Sequence, residues 1–307
     1  MVCDALQSVK NQSYRPLQLL VVDDGSTDDT GDVVKKWVEE HASDDFAVHY
    51  LWQENQGGNS ARNHGISNAQ GEFVAFLDSD DLWDPEKLML QIDIFDQDDT
   101  LGAVYCGVRH VDAATSRVVE PAKRAYPAGD ILSQILVRDV TSPTSAYILK
   151  REIFGKVGDF DTTLHARQDW DMWIRLAAEC PIGSLPSALV EYREHTGTRT
   201  ASDPNKEINA YGRIMEKYKV LRAKQSLGVR CAAKGSYFKR MGRVHFHHGI
   251  STSKAILYLT RSVLVWPFDF DAWAALGGML LPRGPRRLIH RTWNSIFGAT
   301  KLAIRSH

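Results

Sequence analysis

The chain has 307 residues, 43% hydrophobic and 24% charged, with a formal net charge of −1. That length suits one large domain, or one domain with an appendage, and the near-neutral total offers no global field for nucleic acid. Four cysteines (Cys3, Cys106, Cys180, Cys231) lie scattered without metal-ligand spacing and read as the reduced thiols of a cytosolic protein. The first residues show no cationic segment followed by an apolar one, so a secretory leader is not expected. No run reaches the roughly 20 apolar residues that span a bilayer. The nearest, Ala255 to Phe268, is short and interrupted by Arg261.

Leu17–Val22 is a continuous apolar run, as in a buried parallel strand. Asp28–Glu40 carries Val33, Val34, Trp37 and Val38 at helical spacing. Phe46–Trp52 is a second strand, Gly57–Asn68 a loop entering a helix, and Phe73–Leu77 a third strand. Asp84-Pro85-Glu86 opens a helix to about Phe95, with an N-cap acid and proline in the first turn. Gly102–His110 is a further strand. This alternation predicts an α/β fold with a doubly wound sheet. Gly129–Val137 and Arg151–Val157 read as helical, Ala146–Leu149 as a strand, Trp170–Glu179 as an amphipathic helix, and Ala188–Tyr192 as a strand. Beyond Thr200 the pattern is mainly helical, over Pro204–Lys224, Val229–His248, Thr252–Val265 and Phe270–Leu280.

The sharpest chemical signal is Phe73-Val74-Ala75-Phe76-Leu77-Asp78-Ser79-Asp80-Asp81. An apolar strand ends in three carboxylates, which repel one another and resist burial. At the C-terminal end of a strand, where open α/β sheets bind ligands, such acids suit a hard divalent cation and a phosphorylated ligand. Asp80 is the preferred metal ligand, with Asp78 reaching a ribose, or the metal through water; a solvated acidic turn is the alternative. Asp23-Asp24-Gly25-Ser26-Thr27-Asp28 reads either as a turn into a capped helix or as a base-contacting edge centred on Asp24. Gly57-Gly58-Asn59-Ser60-Ala61-Arg62-Asn63 reads either as a flexible loop plus a helix start or as a close backbone approach to a nucleotide, with Arg62 touching base or phosphate. Asp169 opens an amphipathic helix, where it is either a dipole-favoured acid or a general base. His195 is either a third metal ligand or phosphate donor, or an uninvolved histidine.

These pieces, in this order, resemble family 2 glycosyltransferases of the GT-A fold. The matching text is Ser8-Val9, Gln12-Ser13-Tyr14, Val21-Val22-Asp23-Asp24-Gly25-Ser26-Thr27-Asp28, Ala61-Arg62-Asn63, Gly71-Glu72, Phe76-Leu77-Asp78-Ser79-Asp80-Asp81, Gln168-Asp169-Trp170-Asp171 and Tyr192-Arg193-Glu194-His195. The resemblance implies a Rossmann-like mixed sheet in a transferase domain over residues 1–200, with residues 201–307 a helical extension. It implies a hexosyltransferase-type enzyme that moves a sugar from a nucleotide-diphospho-sugar, typically a UDP-sugar, to an acceptor hydroxyl with inversion. Polysaccharide or glycolipid assembly is the implied setting. Asp24 falls on the base-contacting acid, Asp78 and Asp80 on the Asp-x-Asp that holds Mn²⁺ or Mg²⁺, and Asp169 on the catalytic base.

One departure stands out. The family's opening strand, of the type Val-Ser-Val-Ile-Ile-Pro-Thr-Tyr-Asn, has no counterpart here, because Met1-Val2-Cys3-Asp4 already lies in the first helix. Either the start is misassigned or the chain is a fragment, or, if this is the true product, a central sheet position is expected to stand open. The rival readings are a catalytically inactive relative that binds a nucleotide or a partner, and a nucleotidyltransferase. The implied partners are the donor and a glycan or lipid-linked acceptor, with no nucleic acid; a homo-oligomer is left open. The basic, Trp-containing end (Arg283, Arg286, Arg287, Arg291, Trp293) reads either as a peripheral contact with the inner face of a membrane or as a solvated face on a packed helix.

Overall fold

The computed structural model describes residues 1–113, 115, 117–120, 126–194 and 203–280. Two compact units emerge, one of 1–135 with 139–202, the other of 136–138 with 203–307.

The first unit begins with helix α1 (Val2–Lys10), strand β1 (Leu17–Asp24), helix α2 (Thr30–His41), strand β2 (Phe46–Gln53) and helix α3 (Gly58–Asn68). Next come β3 (Phe73–Ala75), β4 (Leu82–Trp83), α4 (Lys87–Gln97), β5 (Ala103–Asp112) and β6 (Val118–Glu120). A single turn α5 (Leu132–Ile135), β7 (Tyr147–Lys150), α6 (Phe154–Val157), α7 (Gln168–Glu179) and β8 (Ile182–Glu194) complete it.

The strands form two sheets. β1 and β2 pair in parallel, from Leu17 opposite Phe46 to Asp24 opposite Gln53. The larger, mixed sheet runs β3-β7-β5-β8-β4, with β6 beside β5. The expected mixed α/β architecture is present, with its strands divided between these two sheets. Among the described residues β1 bonds only to β2, and β3 only to β7. One apolar core still serves both sheets: Val34, Trp37, Phe46 and Val48 join Phe95, Val104, Ile148 and Val190 in one buried cluster. β5, the middle strand, is buried from Ala103 to Val108.

Three elements differ from expectation for local reasons. α4 starts at Lys87, two residues late, because Asp84 first closes a turn: its carboxylate accepts from the Glu86 amide at 3.1 Å and its carbonyl from the Lys87 amide at 3.0 Å. The helix expected over Gly129–Val137 contracts to Leu132–Ile135 because Gly129 is held in a β-bridge to Ile182. β8 starts six residues before the expected strand. Pro186 and its polar neighbours hide it in the sequence, and the register against β5 shifts beside Cys106, Gly107 and Val108 to absorb them. Gly107 makes the bulge feasible, since a Cβ there would stand 2.8 Å from the Pro186 carbonyl oxygen.

The second unit holds α8 (Pro204–Lys217), α9 (Lys219–Ala223), α10 (Leu227–His247), α11 (Thr252–Val265) and α12 (Phe270–Leu280). Asp203, Ser226 and Ser251 cap α8, α10 and α11 with side-chain oxygens. α10 and α11 pack closely where α10 is small: a Cβ on Gly242 would stand 2.7 Å from Leu259 Cγ, and Ser262 Oγ donates to the Gly235 carbonyl at 2.8 Å. Leu259, Val263, Ala272 and Leu276 form the α11–α12 core. Among the described residues, no helix is long and apolar enough to cross a membrane.

Candidate functional site

The C-terminal ends of β1 and β3 deliver the acids. Asp23 points inward: it is buried and accepts from the Tyr50 hydroxyl at 2.6 Å and the Ser26 amide at 2.8 Å. Burial raises its pKa, but these hydrogen bonds outweigh that and leave its carboxyl below the usual range. Burial, and then the bonded Asp23, push the Tyr50 hydroxyl up to about 12. Asp23 is therefore a structural acid.

Asp24 turns the other way. One oxygen accepts from Gln53 Nε2 at 2.7 Å and the Gln56 amide at 2.9 Å; the other accepts from the Gly57 amide at 2.8 Å. It ties the end of β1 to the loop that enters α3. Gly25 permits the turn, with φ at +78° and the Asn55 amide nitrogen 2.7 Å from where a Cβ would lie.

Arg62, one turn into α3, donates to Asp78 Oδ1 at 2.6 Å, and its guanidinium lies 5.8 Å from the centre of the Phe160 ring. Two of the nucleotide-binding candidates are thus an ion pair. Beyond β3, Asp78, Ser79 and Asp80 form a turn closed by the Asp81 amide on the Asp78 carbonyl at 3.0 Å. Asp78 and Asp80 are half-buried and Ser79 is exposed. Asp81 is buried, so it serves the turn and not a ligand. Burial first, then Asp78 and Asp80, push its carboxyl up to about 7.

Ser145 holds this turn, and sequence reasoning missed it. β3 and β7 pair with Phe73 opposite Lys150 and Ala75 opposite Ile148. Continued three places, that register sets Asp78 opposite Ser145. There the side chain replaces the missing rung: the Asp78 amide donates to Ser145 Oγ at 3.1 Å, and Ser145 Oγ donates to Asp81 Oδ2 at 2.6 Å. The Ser145 carbonyl accepts from Trp83 Nε1 at 2.8 Å, and the Arg193 amide of β8 reaches Asp81 Oδ1 at 3.3 Å. Extending the β3 register onto Ser145 was the available signal, but it requires knowing that β3 and β7 pair.

Asp169 is half-buried in the first turn of α7 and accepts from the Trp170 amide at 2.8 Å. Burial, and then the charge of Asp139, push its carboxyl up to about 6, against the opposing pull of Trp170 N–H, Arg167 and Arg62. Arg167 itself has φ of 57°, which sets the entry to the helix. Asp139, whose carboxylate accepts from the Thr141 amide and hydroxyl at 3.1 and 3.0 Å, is the second residue the sequence did not reveal. A carboxyl whose pKa is raised but still below neutral pH is ionised there and more basic than usual, which suits a general base. His195 and the basic end from Arg283 to Trp293 lie outside the described residues.

A family model described as glycosyl transferase family 2 matches residues 1–158. The chain belongs to glycosyltransferase family 2. An uncharacterized glycosyltransferase of Rickettsia felis is 28% identical over 204 residues, covering 66% of this chain. The alignment spans only 32% of that relative's length. Among solved structures, Staphylococcus aureus TarS 1–349 in complex with UDP-GlcNAc aligns with a TM-score of 0.65 at 20% identity, covering 97% of this chain and 88% of that one. The mannosyltransferase PcManGT of Pyrobaculum calidifontis, in complex with GDP-Man and Mn²⁺, aligns with a TM-score of 0.57 at 22% identity, covering 97% and 80%. At such identities these two show the fold, which is GT-A, with a mixed α/β sheet and a helical C-terminal region.

The donor set fits a hard divalent cation in chemistry, because Asp78 and Asp80 offer only carboxylate oxygen. Among the described residues there is no cluster of three or more potential metal-ligating side chains. The acid pair therefore suits a cation completed by ligand oxygens and water.

Proposed function

We propose that this family 2 enzyme transfers a sugar from a nucleotide-diphospho-sugar, of the UDP type, to an acceptor hydroxyl in polysaccharide or glycolipid assembly, with inversion. The observation that carries the reading is the Arg62–Asp78 pair at the strand end, with Asp169 at a helix start close enough for the Arg62 charge to act on its carboxyl, which burial pushes up to about 6. That carboxyl is ionised at neutral pH yet basic enough to take a proton. The two solved fold neighbours support the donor class, since their ligands are both nucleoside-diphospho-sugars.

Each residue then has a task. A carboxylate offers about four acceptor positions, and Asp24 has three engaged, leaving one for a base N–H. Arg62 holds Asp78 and places positive charge beside the acidic turn. Asp80, with Asp78, would hold Mn²⁺ or Mg²⁺, whose chemistry is to stabilise negative charge on a departing diphosphate. Asp169 takes the acceptor hydroxyl proton. The acceptor oxygen bonds to the anomeric carbon, and the bond from that carbon to the diphosphate oxygen breaks with its electron pair. Fixing both partners in line supplies much of the remaining acceleration.

The test is Asp169→Asn. Transfer from a UDP-sugar should fall at least about a hundredfold, while the dissociation constant for UDP stays within a factor of about two. Undiminished transfer removes Asp169 from the role.

A further inference from the structure

The net charge of −1 conceals a division. Residues 203–307 hold 19 lysines and arginines against 5 aspartates and glutamates, a formal +14, whereas residues 1–202 hold 18 against 33, a formal −15. Within the described part of the helical unit, residues 203–280, the balance is 13 against 5, a formal +8. Such segregation marks a basic module suited to an anionic partner.

The same unit exposes apolar side chains that its own core does not use. On α11, Ala255, Leu259, Ser262 and Val263 are buried. Lys254, Leu257, Arg261 and Leu264, spaced three, four and three apart, share the solvent face. Leu257 is 47% exposed and Leu264 76%. The chain then turns through Phe268, 68% exposed, into Phe270 and Trp273 on α12, 54% and 46% exposed. Neither Lys254 nor Arg261 makes an ion pair among the described residues, and α11 contains no acid. Of the two acids beyond α11, Asp269 is paired with Lys239 at 2.6 Å, so Asp271 is the local exception.

We propose that the solvent face of α11 and the turn into α12 dock on an anionic lipid bilayer, lying in the headgroup plane. Two observations choose this partner. Cations alternate with leucines on one stripe, and aromatic rings cluster at its end, which matches the layered chemistry of headgroup and acyl boundary. A soluble polyanion would be met by the cations alone and gives no use to five exposed large apolar groups. The acidic remainder of the chain opposes approach to the same surface, so the apolar contacts are needed to hold it. Docking brings the enzyme to a lipid-linked acceptor, a consequence that rests on the transfer reading above; the docking itself does not.

The experiment is vesicle sedimentation with the full chain, using phosphatidylcholine alone or mixed with phosphatidylglycerol, at low and high salt. Binding is expected only with the anionic lipid, and should weaken with salt. Lys254→Glu with Arg261→Glu should weaken it at least about 20-fold, from roughly fivefold per cation lost. Leu264→Ser with Phe268→Ser should weaken it about tenfold or more. Leu227→Ser, 70% exposed on α10, is the control and should change nothing; melting curves check that each variant folds. Equal binding to neutral vesicles overturns the proposal. So does binding unaltered by the apolar pair, which would leave a polyanion site. Wild-type self-association that the apolar pair abolishes, without vesicle binding, would assign the face to a second copy. Loss of transfer in Asp169→Asn with docking intact, or the converse, separates this proposal from the catalytic one.

Discussion

Replacing Ser145 by alanine tests whether the acidic turn is held from β7. The hydroxyl is fully buried, accepts from the Asp78 amide and donates to Asp81. Removing it strands both partners. An unsatisfied buried amide costs about 1–3 kcal/mol, and a lost bond to a carboxyl about as much. Asp81, pushed up to about 7, is partly neutral near that pH, which favours the lower half of the second range. The sum is about 2–5 kcal/mol, against a cavity smaller than a methyl group. Urea denaturation should register that loss. Hydrogen exchange should show where it falls: the Asp78 and Asp81 amides lose protection while the β1–β2 rungs from Leu17 to Asp24 keep theirs. Metal-supported UDP binding should weaken about tenfold or more, as the two carboxylates lose their fixed relation. Threonine, which keeps the hydroxyl, should restore much of the binding. Unaltered exchange at Asp78 together with an unaltered metal titration would refute the reasoning.

The remaining predictions concern Asp169 and the β1 turn. Because the folded state raises the Asp169 pKa from its ordinary 3.8 to about 6, its ionisation costs stability progressively as pH rises from about 4 to about 6. Asp169→Asn should therefore melt higher than wild type at pH 8, with the gain fading toward pH 4, even as transfer is lost; a lower melting temperature at pH 8 contradicts this. Asp139→Asn removes the repelling charge, so the acid limb of the transfer rate, expected near pH 6, should move to lower pH. An unmoved limb would show that burial alone sets it. Gly25→Ala should destabilise by at least about 1–2 kcal/mol, from the left-handed backbone and the 2.7 Å approach to Asn55, measured by urea denaturation.

Periodic segments and the acid-ended strand were readable from the sequence because their signals are local. β1 and β2 were placed within two residues, and α11 and α12 at their observed ends, since apolar spacing and clean breaks define them. Asp24, Asp78 and Asp80 announce themselves as candidates by following apolar strands, and Arg62 by following Gly57-Gly58. Ser145 and Asp139 do not. Each sits in an unremarkable stretch and matters only through what folding sets opposite it, Asp78 in one case and Asp169 in the other. The Arg62–Asp78 pair is likewise invisible in the sequence, because residues 16 apart meet only once the fold brings α3 to the turn that follows β3. β8 was half hidden because a proline normally argues against a strand, and the accommodating bulge depends on Gly107 of another strand.

The most direct measurement is titration calorimetry of UDP and of GDP into the full chain, with and without Mn²⁺, repeated on Asp80→Ala. The account predicts that UDP binds, that Mn²⁺ tightens binding at least about tenfold, and that Asp80→Ala abolishes that gain. Absence of binding by either nucleotide in the presence of metal, or a metal effect unchanged in Asp80→Ala, would contradict it.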